Sequence, residues 1–218
     1  MELHELASLA PKTLCVTDAS ENLSQVVRAW GEFQILPSAS TVGQIEREIH
    51  IFQPDIIVVF GCRSIIPKKL LSKVPFFNLH LALLPRSRGP APHIWSLIEG
   101  EGIGVTLHSM DKGIDTGAII AQQPVKISLK SHTLNSAFEL LLANAMLLLS
   151  LNMSDMLSGR ATTLVQSGLG SSHNLQDQAV IQSFVSQNLD LPLTRFLPKL
   201  RGIVESFQQS NSHQSLKK

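Results

Sequence analysis

The sequence has no tyrosine, only two cysteines, no surplus of either charge and no apolar run long enough to span a bilayer. Each scarcity except the first excludes something. Cys15 and Cys62 stand apart inside apolar runs, so no disulfide framework or Cys-rich metal cluster is encoded, and a reduced, cytoplasmic protein is the expectation. Lys and Arg number 18 against 17 Asp and Glu, a formal net charge of +1, which provides no broad cationic field for nucleic acid. The most apolar stretch, residues 138–151, contains Glu139 and Asn144 and falls short of the roughly twenty residues a membrane span needs. It reads as a buried core helix, and no membrane association is expected. The first residues, Met1-Glu-Leu-His-Glu-Leu, carry acids where an export signal carries Lys or Arg. No glycine fingerprint for a dinucleotide is present either. Gly100, Gly102 and Gly104 precede a strand instead of opening a helix, and Gly168 and Gly170 are followed by His173 where a third glycine would stand.

What is present is an ordinary globular composition: 218 residues, 44% apolar and 16% charged. A chain of this size buries roughly 70% of its unfolded surface, enough to hold a core without covalent help. Short β-type runs at 13–17, 33–36 and 56–60 alternate with helical patterns at 21–30 and 41–52, where Val26, Val27 and Trp30, then Ile45, Ile49 and Phe52, fall at helical spacing. Ser40 or Thr41 offers an N-cap for the second helix. That alternation predicts an α/β fold of the Rossmann-like, doubly wound kind: a mostly parallel sheet with helices on both faces. Further strands are expected at 76–79, 105–108 and 118–127, the last an edge strand because of Pro124. Helices are expected at 91–99 and 133–151. Residues 1–165 read as one catalytic domain, 166–207 as an extension packed on it, and the Gln/Ser/His/Lys-rich 208–218 as a disordered tail.

Asn78 and His80 sit two apart at a strand end and therefore project from one face of the sheet. An amide donor beside an imidazole suits attack on a carbonyl, the amide donating to the developing oxyanion while the imidazole donates or moves a proton. Asp115, on a Gly-containing loop, is the acid within reach of that edge. On spacing alone, a structural or merely exposed histidine is the commoner reading of such a position, and catalysis the rarer one.

The two segments Phe77-Asn-Leu-His-Leu-Ala-Leu-Leu-Pro-Arg-Ser-Arg-Gly89 and Gly104-Val-Thr-Leu-His-Ser-Met-Asp-Lys-Gly-Ile-Asp-Thr-Gly-Ala-Ile-Ile-Ala-Gln122 closely resemble the signature of folate-dependent formyltransferases. The resemblance runs from about residue 54 to 151. It implies transfer of a formyl group from 10-formyltetrahydrofolate to a primary amine. By the same resemblance, Asn78 and His80 stabilise the tetrahedral oxyanion, and Asp115 keeps His80 charged and helps move the amine proton. The folate ring is expected against the loop carrying Gly61, Cys62, Arg63 and Ile65 and against Asp111 and Gly113. Arg88, Thr106 and His108 are the residues expected to face the acceptor, although a loop charge and ordinary strand positions are equal readings. No metal is expected. His93, His132 and His173 carry no assigned role. One departure stands out: the family often has His-Pro-Ser-Leu-Leu-Pro where this chain has His80-Leu-Ala-Leu-Leu-Pro85.

The resemblance divides by acceptor. Formyltransferases acting on methionyl-tRNA carry a further basic domain, and those acting on glycinamide ribonucleotide carry a Gly-rich loop after the first strand, where this chain has Thr17-Asp-Ala-Ser-Glu-Asn. The short sugar N-formyltransferases remain, so the expected acceptor is a nucleotide-linked amino sugar. Another small amine, or a degenerate folate-binding protein without catalysis, is the alternative. Phe184, Leu189 and Leu191 offer either a homodimer surface or a completed core.

Overall fold

The computed structural model describes residues 10–215, with side chains through 210. Six strands form one sheet in the order β2-β1-β3-β4-β5-β6: β1 (Lys12–Thr17), β2 (Glu32–Leu36), β3 (Ile56–Phe60), β4 (Phe76–His80), β5 (Gly104–Ser109) and β6 (Ile119–Pro124). The first four run parallel, whereas β5 and β6 add on antiparallel. The helices are α1 (Ser20–Val27), α2 (Val42–Phe52), α3 (Lys68–Leu71), α4 (Pro92–Glu99), α5 (Leu134–Leu157), α6 (Leu175–Gln187) and α7 (Leu193–Ser215). The mostly parallel α/β architecture expected from the alternating runs is observed, and the antiparallel pairing of β5 and β6 is an addition to it. The helix predicted over 21–30 stops at Val27 and tightens into a 3-10 turn, Arg28–Trp30, before β2.

Strand periodicity sorts the apolar residues onto two faces. Cys15, Ile56, Val58, Phe77, Leu79, Val105 and Leu107 pack beneath α1 and α5. Leu14, Val16, Ile57, Val59 and Phe76 pack beneath α2 and α3 with Ile45, Phe52 and Leu70. Thr41 caps α2 in a capping box with Gln44, satisfying free amides of its first turn. At 24 residues, α5 is longer than expected, and by length and composition it is long enough to cross a membrane. Leu141, Ala145, Leu148, Leu149 and Met153 instead bury against the sheet, as a core helix does.

A third cluster joins α4 and the start of α5 to α6 and α7 through Trp95, Leu97, Ile181, Phe196 and Leu200. Phe184 and Leu191 pack here, the first with its ring 5.3 Å from that of Phe196, so both serve this chain's own core. Helix α7 continues through residues 208–215, correcting the expectation of disorder there; 216–218 lie outside the described residues. The polar composition of 208–215 offers no core of its own. It extends a helix already anchored by Phe196, Leu197 and Leu200, and propagation costs far less than nucleation.

Candidate active site

Over β1 and β3 the second face of the sheet is closed by α2 and α3, and Phe76 continues that apolar surface. Asn78 and His80 follow on the same face, and the antiparallel register sets His108 opposite Asn78 and Thr106 opposite His80. Four polar side chains thus share one face, which here is covered by the loops around 81–92 and 110–117. Pairing with β5 is what turns two separated sequence segments into one site.

Asp115 completes the group. Its Oδ1 lies 3.2 Å from Asn78 Nδ2 and 3.6 Å from His108 Nε2, and its Oδ2 lies 3.5 Å from His80 Nδ1 and accepts the Gly89 N–H at 2.8 Å. Asn78 Nδ2 also lies 3.1 Å from His108 Nε2. Because a carbonyl can only accept, the 3.0 Å contact of His80 Nε2 with Ser87 O fixes the hydrogen on Nε2 and turns Nδ1 toward Asp115. His108 Nδ1 likewise donates to Ser109 O at 2.8 Å.

Burial pushes the Asp115 carboxyl up, but His108, His80 and the Gly89 amide outweigh it and hold the group down at about 2. His80 is enclosed, and desolvation drives its pKa below the ordinary histidine value although Asp115 opposes this. The expectation that Asp115 keeps His80 charged thus meets an opposing effect: Asp115 raises the His80 pKa, and burial lowers it by more. His93 is also held down, to about 4, by burial and by repulsion from His80.

Thr106 is buried and its hydroxyl is fully engaged. It donates to Ala82 O at 2.6 Å and accepts from Leu84 N at 3.2 Å and Gln122 Nε2 at 2.9 Å. It holds the loop after β4 and presents no free atom to an acceptor. Arg88 is drawn away to Gln166 Oε1, with contacts at 3.2 and 2.6 Å.

The loop after β3 is pinned to the loop after β2. Arg63 N donates to Ser38 O at 2.9 Å, Ser64 Oγ donates to Ser40 O at 2.8 Å, and Asp18 bonds Ser38. Gly61 and Ile65 are exposed, and the Cys62 thiol, its pKa raised by burial, rests on Ser64 O. Asp111 Oδ1 accepts the Gly113 N–H and the Thr116 hydroxyl at 2.9 and 2.6 Å, so it shapes its own turn. Met110, which opens that turn, and Cys62 pack against the same apolar cluster. Gly117 follows by necessity, since a Cβ there would collide with Ser109 O.

Sequence reasoning missed Ser87, Glu99, Gln166 and Ser171, and assigned nothing to His173. Glu99 accepts from Ser87 Oγ, Ser171 Oγ and His173 Nε2 at 3.1, 2.9 and 2.8 Å. The partners are 72 and 74 residues away in two of these cases, and no local pattern carries such a signal.

The sequence profile described as formyl transferase matches residues 10–145. The chain belongs to the formyl transferase family. Among curated relatives, a methionyl-tRNA formyltransferase of a Nitratiruptor species is 39% identical over 92 residues, covering 42% of this chain and 30% of the relative. That of Syntrophus aciditrophicus is 48% identical over 77 residues, covering 34% and 25%. The chain thus spans about a third or less of the length of the curated relatives it matches. Among solved structures, the formyltransferase PseJ from Anoxybacillus kamchatkensis, in complex with UDP-4,6-dideoxy-4-formamido-L-AltNAc and tetrahydrofolate, superposes with a TM-score of 0.72 at 25% identity, over 85% of this chain and 97% of that one. A sugar N-formyltransferase from a Shewanella species shares the fold with a TM-score of 0.70 at 22% identity, over 87% of each chain.

Proposed function

We propose that this formyl transferase moves a formyl group from 10-formyltetrahydrofolate to the primary amine of a nucleotide-linked amino sugar. The observation that carries the reading is the convergence of Asn78, His80 and Asp115 within 3.2 to 3.5 Å, in a chain of this family. The amine lone pair attacks the formyl carbon, and the carbonyl oxygen becomes an oxyanion. Asn78, whose two amide hydrogens at rest serve Asp115 Oδ1 and His108 Nε2, turns one of them to that charge as it develops, a contribution typically worth about 3–4 kcal/mol. The proton lost by the attacking amine goes to His80 Nδ1, and Asp115 stabilises the imidazolium so formed. Collapse then breaks the bond from carbon to N10 of the folate, which takes a proton in turn.

The donor has a fitting surface. Gly61 has φ +73 with open space around it, and Ile65 and Ile114, 74% and 60% exposed, offer apolar contact for a flat ring beside backbone polar groups. The amino-sugar acceptor is favoured by the overlap with PseJ, which extends over nearly all of that chain. The methionyl-tRNA reading is supported by the higher local identity of its enzymes, which reaches 48%. Tetrahydrofolate release from 10-formyltetrahydrofolate tests both, with UDP- and dTDP-linked amino sugars, methionyl-tRNA, glycinamide ribonucleotide or no acceptor, and His80→Ala as the blank. Release dependent on an amino sugar is expected. Release with methionyl-tRNA alone would replace the acceptor, and no release with any acceptor would refute the activity.

A further inference from the structure

A segment beyond the family-matched 10–145 crosses the site. It begins as an antiparallel bridge between Leu164 and Ile119, with both backbone hydrogen bonds at 2.8 Å. Gln166 follows, its Nε2 donating to Asp115 O and Gly117 O, both at 2.8 Å, while its Oε1 accepts from Arg88. The segment then runs parallel to the loop after β4, with Arg88 N donating to Ser171 O at 3.0 Å and His173 N donating to Arg88 O at 2.9 Å. Ser171 Oγ accepts the Ser87 N–H at 2.8 Å and donates to Glu99. His173 pairs with Glu99 and stacks flat on Trp95, with ring centres 3.8 Å apart and an interplanar angle of 5°. The approach is so close at Gly89, φ +96, that a Cβ would collide with His173 O.

Two residues that flank His80 hold left-handed backbone without being glycine: Ser87 at φ 53 and Asp115 at φ 52. Such conformations persist only where surroundings over-determine them. Here the same crossing segment supplies the hydrogen bonds at both, through Ser171 at the first and Gln166 at the second. We propose that residues 164–173 form a strap that sets the geometry of the His80–Asp115 pair, with Gln166 as the positioning residue on the Asp115 side and Ser171, backed by Glu99, on the Ser87 side. Gln166 touches no reacting atom in this scheme. It holds the backbone from which the carboxylate reaches Nδ1 of His80. The rate consequence rests on the formyl-transfer reading, whereas the geometric consequence does not.

The test compares Gln166→Met, which keeps the length and apolar stem but removes both amide functions, with Ser171→Ala and with Val165→Ala as the control. Val165 is 87% exposed on the same segment. The first readout is the histidine titration followed by proton–carbon NMR, with His80 assigned from His80→Ala. Asp115 raises the His80 pKa, so loosening it should move the His80 titration further down in Gln166→Met and Ser171→Ala, and leave it in place in Val165→Ala. The second readout is turnover, expected to fall about 10- to 100-fold with donor and acceptor KM changed less than about threefold, as for a misplaced catalytic group. An unmoved His80 titration in both strap variants would overturn the proposal whether or not an acceptor has been found. A moved titration with no formyl transfer by the unaltered protein would uphold the strap and refute the activity.

Discussion

Replacing Thr106 by valine isolates the hydrogen bonds that hold the loop after β4, because the two side chains have nearly the same shape and no cavity is opened. The hydroxyl serves Ala82 O, Leu84 N and Gln122 Nε2 at 2.6, 3.2 and 2.9 Å. Gln122 is the least affected, since its amide also reaches Leu84 O at 2.8 Å and faces solvent. Ala82 and Leu84 are buried, so the carbonyl of one and the amide of the other lose their partner without gaining water. At about 1–2 kcal/mol for each stranded group, Thr106→Val should cost about 3 kcal/mol. For a chain of this size that corresponds to a fall in Tm of about 6–12 °C. Thr106→Ser keeps the hydroxyl and loses one buried methyl, a cost of about 1 kcal/mol. Urea unfolding of the three proteins, followed by circular dichroism at neutral pH, reads the difference. Equal losses in the two variants, or less than about 1 kcal/mol in Thr106→Val, would refute the claim that the hydroxyl holds the loop. Turnover should fall with stability in Thr106→Val, because that loop carries Ser87, the carbonyl that orients His80.

Asn78→Ala should lower turnover by about 100-fold or more with little change in folate binding, as for a lost oxyanion donor, and steady-state kinetics with a saturating donor would show it. The pH–rate profile should have its acid limb below pH 6.5, because burial lowers the His80 pKa and the base must be neutral to act. In Asp115→Asn that limb should move lower still, since the carboxylate opposing desolvation is gone, and turnover should drop; an upward movement would contradict the coupling. Acid should destabilise the fold in two stages. The folded His93 titrates at about 4 against 6.5 for a free histidine, so its contribution, up to about 3 kcal/mol for a half-buried ring, is present above pH 6.5 and disappears as pH falls toward 4. Asp115, at about 2 against 3.8, contributes about 2 kcal/mol that is lost as pH falls from 3.8 toward 2. Unfolding free energies between pH 7 and pH 4 for the unaltered protein and His93→Gln should show the first stage flattened in the variant.

The sequence by itself determined the architecture of the first four strands, because fully buried parallel strands read as continuous apolar runs between helices of regular period, and nothing distant is needed to recognise either. It also placed Asn78 and His80 on one face through strand geometry alone, and the motif around Asp115 carries the family. Tertiary structure decided the rest, and the reason in each case is separation along the chain. Pairing of β4 with β5 put His108 against Asn78 and enclosed Thr106, which changed Thr106 from a residue facing an acceptor to one that holds a loop. Enclosure decided the direction in which the His80 pKa moves, since desolvation depends on what covers a ring and not on its neighbours in sequence. The final helix outlasted its polar composition because its preceding turns are anchored in a core built from α4, α5 and α6. Gln166 is 51 residues from the backbone it holds, and only the folded chain brings an unremarkable loop glutamine to the back of the carboxylate that serves His80.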